Sequence, residues 1–490
     1  MQQAVIDRIM SLPLLTVMSI ERRWLDYQNS LEVFAVSWKD ELKANEEAHV
    51  HEMLELIRIP SVSTSPEHKG DMQKTAEWVA ERLKRAGVPE VRIAPSAGHP
   101  SVLGRWHVSD DQPTILIYGH YDVQPAEPLE LWESPPFEPR VEGNVVYGRG
   151  SSDMKGNLLT AIQGVEASAK SNGGQPPVNV SFIFEGEEEI GSPNMVQVIR
   201  ENMDMLKADA VISADGGQYS ADTPSMGIAL KGLAGLQINL TTANTDMHSG
   251  GYGAYVPNAV QVMAKLAATF HDADGKVMVE GFYDSVQELT QADKDEMALV
   301  AVDEAGEKSS LALSDFFGEP GYTLRERNWG RPTLDFNGIW GGFQGDGVKT
   351  VTPAKAHLKI TCRLVADQDP LEIRELVKAH AEKHVGSRGT VEVVFADGYA
   401  RPYLADREHP VYKAVNDTVA ELYGKDPVIV RAGGTVPATG IFQDELGLET
   451  ITLGWGLPGS KAHAPNEWYT ISDFLRGREG YALLLDKIKN

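Results

Sequence analysis

The stretch Thr114-Ile-Leu-Ile-Tyr118-Gly-His120-Tyr-Asp122 carries an apolar run straight into a histidine and an aspartate. Thr114 to Tyr118 is short, β-branched and aromatic, the composition of a buried strand rather than a helix. Open α/β sheets place their ligands beyond the carboxyl ends of such strands, where His120 and Asp122 stand. Two positions apart, the two side chains point to one side. A carboxylate so placed can hold an imidazole in one tautomer, as behind a metal-binding histidine. Taken alone, the pair favours the plainer reading, a solvated loop histidine beside a capping aspartate.

Runs of the same kind recur at Val102-Leu103, Val178 to Phe184 and Ala210 to Ser213. Helical patterns cover the residues from Asn45 to Ile57, Met72 to Ala86 with Gly87 as a stop, Asn157 to Lys170 and Ser192 to Asn202. Strands alternating with helices predict an α/β catalytic domain with a mostly parallel sheet. Near Gly227 the pattern changes. Leu233 to Thr242, Ala356 to Val365 and Gly389 to Phe395 read as strands. Pro257 to Phe270 and Pro370 to Val385 read as helices, with Pro257 in a first helical turn. This β-α-β-β-α-β-like order predicts a smaller α+β (ferredoxin-like) domain inserted into the first. The polar stretch between Gly281 and Trp329 reads as irregular or partly helical. From about His409 the α/β style resumes, with helix Pro410 to Tyr423 and strands Val428 to Val430 and Thr450 to Leu453. The expected division is an N-terminal helical extension over 1–45, the catalytic domain over 46–227 and 404–490, and the insert over 228–403.

Asp153 lies in Gly148-Arg-Gly-Ser-Ser-Asp153-Met-Lys-Gly156, whose glycines permit tight backbone geometry; the other use of such an aspartate is as the N-cap of the helix that follows. Phe182-Ile-Phe184 runs into Glu185-Gly-Glu-Glu-Glu189, and acids directly behind a buried strand repel one another unless a cation neutralises them. Asp215 follows the run Ala210 to Ser213, and His463 sits in Gly459-Ser-Lys-Ala-His463-Ala-Pro-Asn-Glu467. Singly, each has a bland explanation as a cap, a solvated acid run or a loop residue. Five such acid or histidine sites after successive strands of one sheet are much harder to explain that way. Carboxylate oxygens and imidazole nitrogens without thiolate are a ligand set for two divalent metals. Metals so held activate water for hydrolysis, and the pattern is that of a dinuclear metallohydrolase acting on an amide bond.

At 490 residues the chain exceeds one ordinary domain, and 42% hydrophobic residues suffice for sizeable cores. A net charge of −25 argues against nucleic acid or an anionic membrane as partner, since phosphates need Lys and Arg. Cys362 is the single cysteine, so no intrachain disulfide can form. The short apolar segment Leu12 to Ile20 lacks a cationic flank and a cleavage site and is too short to span a bilayer. The expected compartment is therefore the cytoplasm.

From about Ala48 to the C-terminus these motifs resemble the dinuclear zinc peptidase family. That family includes carnosine and cytosolic non-specific dipeptidases, carboxypeptidase G and acetylornithine deacetylase. The residues that carry the resemblance are Gly119-His-Tyr-Asp-Val-Gln-Pro125, Trp132 with Pro136-Phe137, Gly148 to Gly156, Glu185 to Ser192 and His463-Ala-Pro-Asn-Glu467. His120-Tyr-Asp-Val-Gln-Pro125 and the long insert are most similar to the dipeptidase branch.

The resemblance implies that His120 and Asp215 hold one metal, Glu189 and His463 the other, and that Asp153 bridges them. Aligned on Glu188-Glu-Ile-Gly-Ser192, Glu188 is the general base, Asp122 orients His120, and Glu187 falls outside the set. Asp246-Met-His248-Ser-Gly250 resembles the family's lid motif. That makes the insert a lid and dimerisation domain of a homodimer, with His248 reaching the other subunit's active site. Thr350, Arg363 and Thr435 resemble substrate contacts, with His248 and His463 also facing substrate; Arg363 could instead be a structural ion-pair partner. Ser213-Ala-Asp215 departs from the Ser-Asp form commoner in the family. The implied reaction is hydrolysis of dipeptides or short peptides with a free C-terminal carboxylate. The implied cofactors are two divalent ions, zinc by default, with manganese or cobalt also suited to the ligands. The competing readings are an N-acyl-amino-acid deacylase or carboxypeptidase of the same family and, more remotely, a non-catalytic binding relative.

Overall fold

The computed structural model describes residues 37–300, 302–434 and 436–489. Of the predicted N-terminal extension, only 37–45 falls among them, and Thr435 lies outside them. Trp38–Ala44 forms a helix capped by Ser37. Its Leu42 packs with Ala167 and Ala482, and the Trp38 indole donates to Asp486 Oδ2 at 2.9 Å.

In chain order the strands that matter are β1 (Glu90–Ala94), β2 (Ser101–Trp106), β3 (Thr114–His120), β4 (Asn179–Glu185), β5 (Ala210–Ser213), β6 (Gly232–Thr241), β7 (Thr333–Gly341), β8 (Lys355–Leu364), β9 (Thr390–Ala400) and β10 (Thr450–Thr452). The principal helices are α1 (Lys69–Arg85), α2 (Gly156–Ser171), α3 (Ala259–Ala267), α4 (Pro370–Val385), α5 (Pro410–Tyr423) and α6 (Ile471–Lys489). One six-stranded sheet has the order β1-β2-β4-β3-β5-β10. Its β4, β3, β5 and β10 run parallel, and only the β1 and β2 edge is antiparallel. This is the expected α/β fold with a mostly parallel sheet.

The apolar run of β3 is continuous because both its faces are covered. Ile115 and Ile117 face one core, with α1, α2 and α6, while Leu116 and Tyr118 face another, with Met195, Val198 and Phe442. Each fully buried aliphatic or aromatic side chain of this kind contributes roughly 1.5–3 kcal/mol over its exposed state. With β3 in the middle, its carboxyl end and those of β4 and β5 open into one crevice.

A second sheet, order β7-β8-β6-β9, is wholly antiparallel and carries α3 and α4 against one face. Two expectations needed correction. Pro257 precedes α3 rather than starting it: the Asn258 side chain accepts from Val260 N and Gln261 N and is the N-cap. Nor do all the candidate site residues follow strands of one sheet. The loop with Asp153 follows Val145–Tyr147, which pairs with Arg140–Glu142 and Trp468–Thr470 in a separate three-stranded sheet. Similarly, Val428–Ala432 pairs with Ser225–Leu230, outside the central sheet. Among the described residues, the stretch from Gly281 onward holds short helices at Gln291–Ala298, Glu304–Ser310 and Leu324–Gly330, the last ending just past Trp329.

Candidate active site

His120 ends β3 with its side chain 1% exposed, which excludes a solvated loop histidine. Its Nδ1 lies 3.0 Å from the Asp122 carbonyl oxygen. A carbonyl can only accept, so Nδ1 carries a proton and Nε2 is the nitrogen that faces the crevice, free to ligate a metal that displaces its own proton. There Nε2 meets Asp153 Oδ1 at 3.2 Å and Asp215 Oδ2 at 4.0 Å. The Asp122 carboxylate lies farther from the ring, at 3.4 Å, and has a second task. Its two oxygens accept the backbone N–H groups of Glu188 at 3.3 Å and Glu189 at 3.1 Å.

Asp153 reaches the same place from the Gly148–Gly156 loop. Gly150 takes φ +83°, open to glycine at little cost. A Cβ at Gly156 would run into the Ser151 carbonyl and the Tyr469 ring. The Asp153 side chain makes no cap to α2. Oδ1 faces His120 and Oδ2 lies 2.9 Å from His463 Nε2. The loop is held by Glu467, a fully buried residue to which no role was assigned from sequence. Its carboxylate accepts from Gly150 N (2.9 Å), Ser152 N (2.9 Å), Asp153 N (3.0 Å) and Arg149 Nη1 (2.8 Å).

The three glutamates after β4 go separate ways. Glu187 turns away, accepting from His99 N at 2.9 Å and from Asn194 Nδ2. Glu189 meets His463 Nε2 at 3.2 Å, and Gln124 Nε2 donates to the same oxygen, Oε2, at 2.9 Å. Its other oxygen, Oε1, is buried with no hydrogen-bond partner among the described residues. Glu188 stands half-buried among His120, Asp215 and Glu189. Behind them Glu185 accepts from Tyr118 Oη (2.8 Å) and Ser192 Oγ (2.9 Å). Gln124 belongs to the Gly119–Pro125 motif, but nothing in its spacing marks it as a partner of Glu189.

His463 adopts a left-handed backbone, φ +63°, as does Asn466 at +61°. Such a conformation costs roughly 1–2 kcal/mol per residue and persists where surroundings over-determine it. Asn466 supplies that, taking Glu133 N at 2.8 Å and donating to Leu131 O at 2.8 Å.

The other predicted contacts lie on the second sheet's side. His248 is exposed, pairs with Val351 in a two-stranded ribbon, and its Nδ1 accepts from Gly250 N. Thr350 is exposed beside it and accepts Ser249 N at 3.1 Å through its carbonyl. Arg363, half-buried, sits on β8 opposite Thr333 and Leu233.

Ligand atoms of His120, Asp153 and Asp215 lie within 4.8 Å of one another, as do those of Asp153, Glu189 and His463. The electrostatics ask for cations. Burial, then Asp215, Glu189 and Glu185, pushes the Glu188 carboxyl up to about 9 despite His120. Burial and Asp153 raise Asp215 to about 6. Hydrogen bonds to Asp153 and Glu189 lift His463 to about 10. Against burial, Asp122 and Asp153 hold His120 well above its ordinary value. Against burial too, His120 and His463 hold Asp153 well below its own. These shifts express one excess of negative charge, which protons or divalent ions can offset. The orphaned Glu189 oxygen and the all-N,O donor set fit divalent metal at both groups.

A profile of Peptidase family M20/M25/M40 matches residues 116–487, most of the chain, and the chain belongs to that family. It is 30% identical over 438 residues to the Cys-Gly metallodipeptidase dug1 of Schizosaccharomyces pombe, covering 86% of this chain and 91% of that protein. It is 25% identical over 440 residues to the Beta-Ala-His dipeptidase of Homo sapiens, covering 87% of each. Its structure is similar to that of the M20 family metallo-carboxypeptidase Sso-CP2 from Sulfolobus solfataricus. There the TM-score is 0.78 at 31% identity, over 90% of this chain and 99% of that one. Among the described residues, no helix is long and apolar enough to cross a membrane.

Proposed function

We propose that this chain is a metal-dependent dipeptidase that cleaves the amide bond of dipeptides or short peptides bearing a free C-terminal carboxylate. One observation carries the reading: Asp153 presents one oxygen to His120 Nε2 at 3.2 Å and the other to His463 Nε2 at 2.9 Å, joining two potential metal-ligand groups through one carboxylate. His120 and Asp215 would hold one ion and Glu189 and His463 the other, with Asp153 between. Two divalent ions there, zinc by default, supply Lewis-acid polarisation and a lowered water pKa. Glu188, half-buried beside the ligands, takes a proton from the attacking water and returns it to the leaving amine nitrogen. Asp122 keeps His120 in its ligating tautomer and holds the Glu188-Glu189 backbone.

The antiparallel sheet and its helices, within residues 228–403, act as a ferredoxin-like lid and dimerisation domain between the two catalytic segments, 46–227 and 404–490. The edge strand β7 exposes Ile339 and Trp340, 55% and 37% accessible, as a free edge that a second copy can cover. In the homodimer His248 would stabilise the oxyanion and contact substrate in the partner's site, and Arg363, Thr350 and Thr435 would hold the substrate carboxylate. The enzyme is placed in the cytoplasm.

The test is a panel of dipeptides, their C-terminal amides, N-acyl amino acids and tripeptides, assayed on protein of measured metal content. Release of free amino acids from dipeptides, lost on chelation and restored by divalent metal, supports the proposal. Cleavage confined to N-acyl amino acids, or activity untouched by chelation, overturns it. Likeness to Sso-CP2 supports a second reading, a carboxypeptidase, which tripeptide cleavage from the C-terminus would favour.

A further inference from the structure

We propose that Glu467 is a positioning residue that sets Asp153 between the two groups of ligands, acting through the backbone of the Gly148–Gly156 loop; the proposal rests on the dinuclear reading above. Glu467 is fully buried, and a buried carboxylate is stable only when its lone pairs are met by donors. Its four donors are not a general set. Three are the backbone N–H groups of Gly150, Ser152 and Asp153, within 3.0 Å, and the fourth is the guanidinium of Arg149 at 2.8 Å. One oxygen takes Gly150 and Arg149, the other takes Ser152 and Asp153. The carboxylate thus grips the loop backbone from Gly150 to Asp153 and locates the Asp153 Cα.

The same short segment supplies His463, whose Nε2 faces Asp153 Oδ2. A single loop therefore provides one ligand and fixes the backbone of another. Trp468 N donates to Ser460 O at 2.9 Å and Gly148 N to Glu467 O at 2.9 Å, so the segment is closed on itself and joined to the Asp153 loop. An ion pair serving only stability would need Arg149 and no register with these amides.

Glu467→Gln keeps the shape but turns an NH2 group toward two donors. Apo protein is titrated with Co2+, following d–d absorption, alongside thermal unfolding of the apo form and dipeptide kinetics. The expected result is a 10–100-fold loss of affinity for at least one Co2+, the scale seen when groups behind metal ligands are removed. It comes with an altered d–d band, lower kcat and unchanged KM, while the apo form still unfolds cooperatively. On an Asp153→Asn background, Glu467→Gln should add little further loss of Co2+ affinity. Wild-type affinity and spectrum in Glu467→Gln, or full additivity with Asp153→Asn, overturns the proposal. If Glu467→Gln does not fold, Glu467→Asp keeps the charge but cannot reach all four donors, and the same readings decide. Failure of both to fold assigns Glu467 to stability alone and also overturns it. A wild type that binds fewer than two Co2+ overturns the dinuclear reading itself, and the positioning role with it.

Discussion

Oδ2 of Asp122 accepts the backbone N–H of Glu189 at 3.1 Å. A residue just past β3 thereby fixes the loop beyond the neighbouring strand β4, while its own carbonyl sets the tautomer of His120. One aspartate coordinates the placement of candidate ligands on two strands.

Asp122→Asn should therefore weaken metal binding about 10–100-fold, because an amide can accept from only one of the two N–H groups. Metal titration of the purified variant measures this. Unchanged affinity would mean that strand ends alone position His120 and Glu189.

Glu188→Gln should keep its metal and lower kcat roughly a hundredfold or more, the scale of general acid–base catalysis. Glu187 is not expected to substitute for it, since its carboxylate is spent on His99 N and Asn194. Near-normal turnover with full metal content would remove Glu188 from the mechanism.

Arg363→Ala should raise KM for dipeptides and leave their C-terminal amides nearly unaffected, because a guanidinium fork recognises a carboxylate. Equal losses on both substrates would make Arg363 a structural ion-pair partner instead.

His248 is exposed, in a two-stranded ribbon opposite Val351. His248→Ala should lose activity but not metal. Mixing it with Glu188→Gln subunits should restore part of the activity, since one site of a mixed dimer then carries neither defect. Confirmed subunit exchange without any recovery would rule out the cross-subunit role.

Acid should destabilise the fold through His49. Arg478 Nη1 donates to His49 Nδ1 at 2.7 Å, so that nitrogen must stay bare. Burial first, then Arg478 and Arg82, lowers the His49 pKa to about 3. Between about pH 6.5 and 3 the unfolded chain binds a proton that the folded chain refuses, and stability falls as pH falls. The contribution is on the order of a few kcal/mol at most. His49→Gln should show a shallower decline of Tm from pH 7 to 4 than the wild type. Parallel declines would mean that His49 is not among the groups that drive it.

Local chemistry made much of this protein legible. The β-branched run Thr114 to Tyr118, the helix at Pro370–Val385 and the acids behind Phe184 announce themselves by composition and period, which neighbours in sequence determine. Pro257 misled because proline and Asn258 both mark helix starts. The Asn258 side chain settled it by capping two amides.

By itself the sequence determined which residue types stand at strand ends, and with them the α/β class and the metal-ligand chemistry. Only the tertiary structure decided that Asp153 arrives from a separate small sheet and that Glu467 grips its loop. Glu467 and Arg149 are 318 residues apart in sequence, and no local preference encodes a contact at that separation. Burial decides it: a carboxylate carried into the interior must find donors, and folding brings these four within its reach.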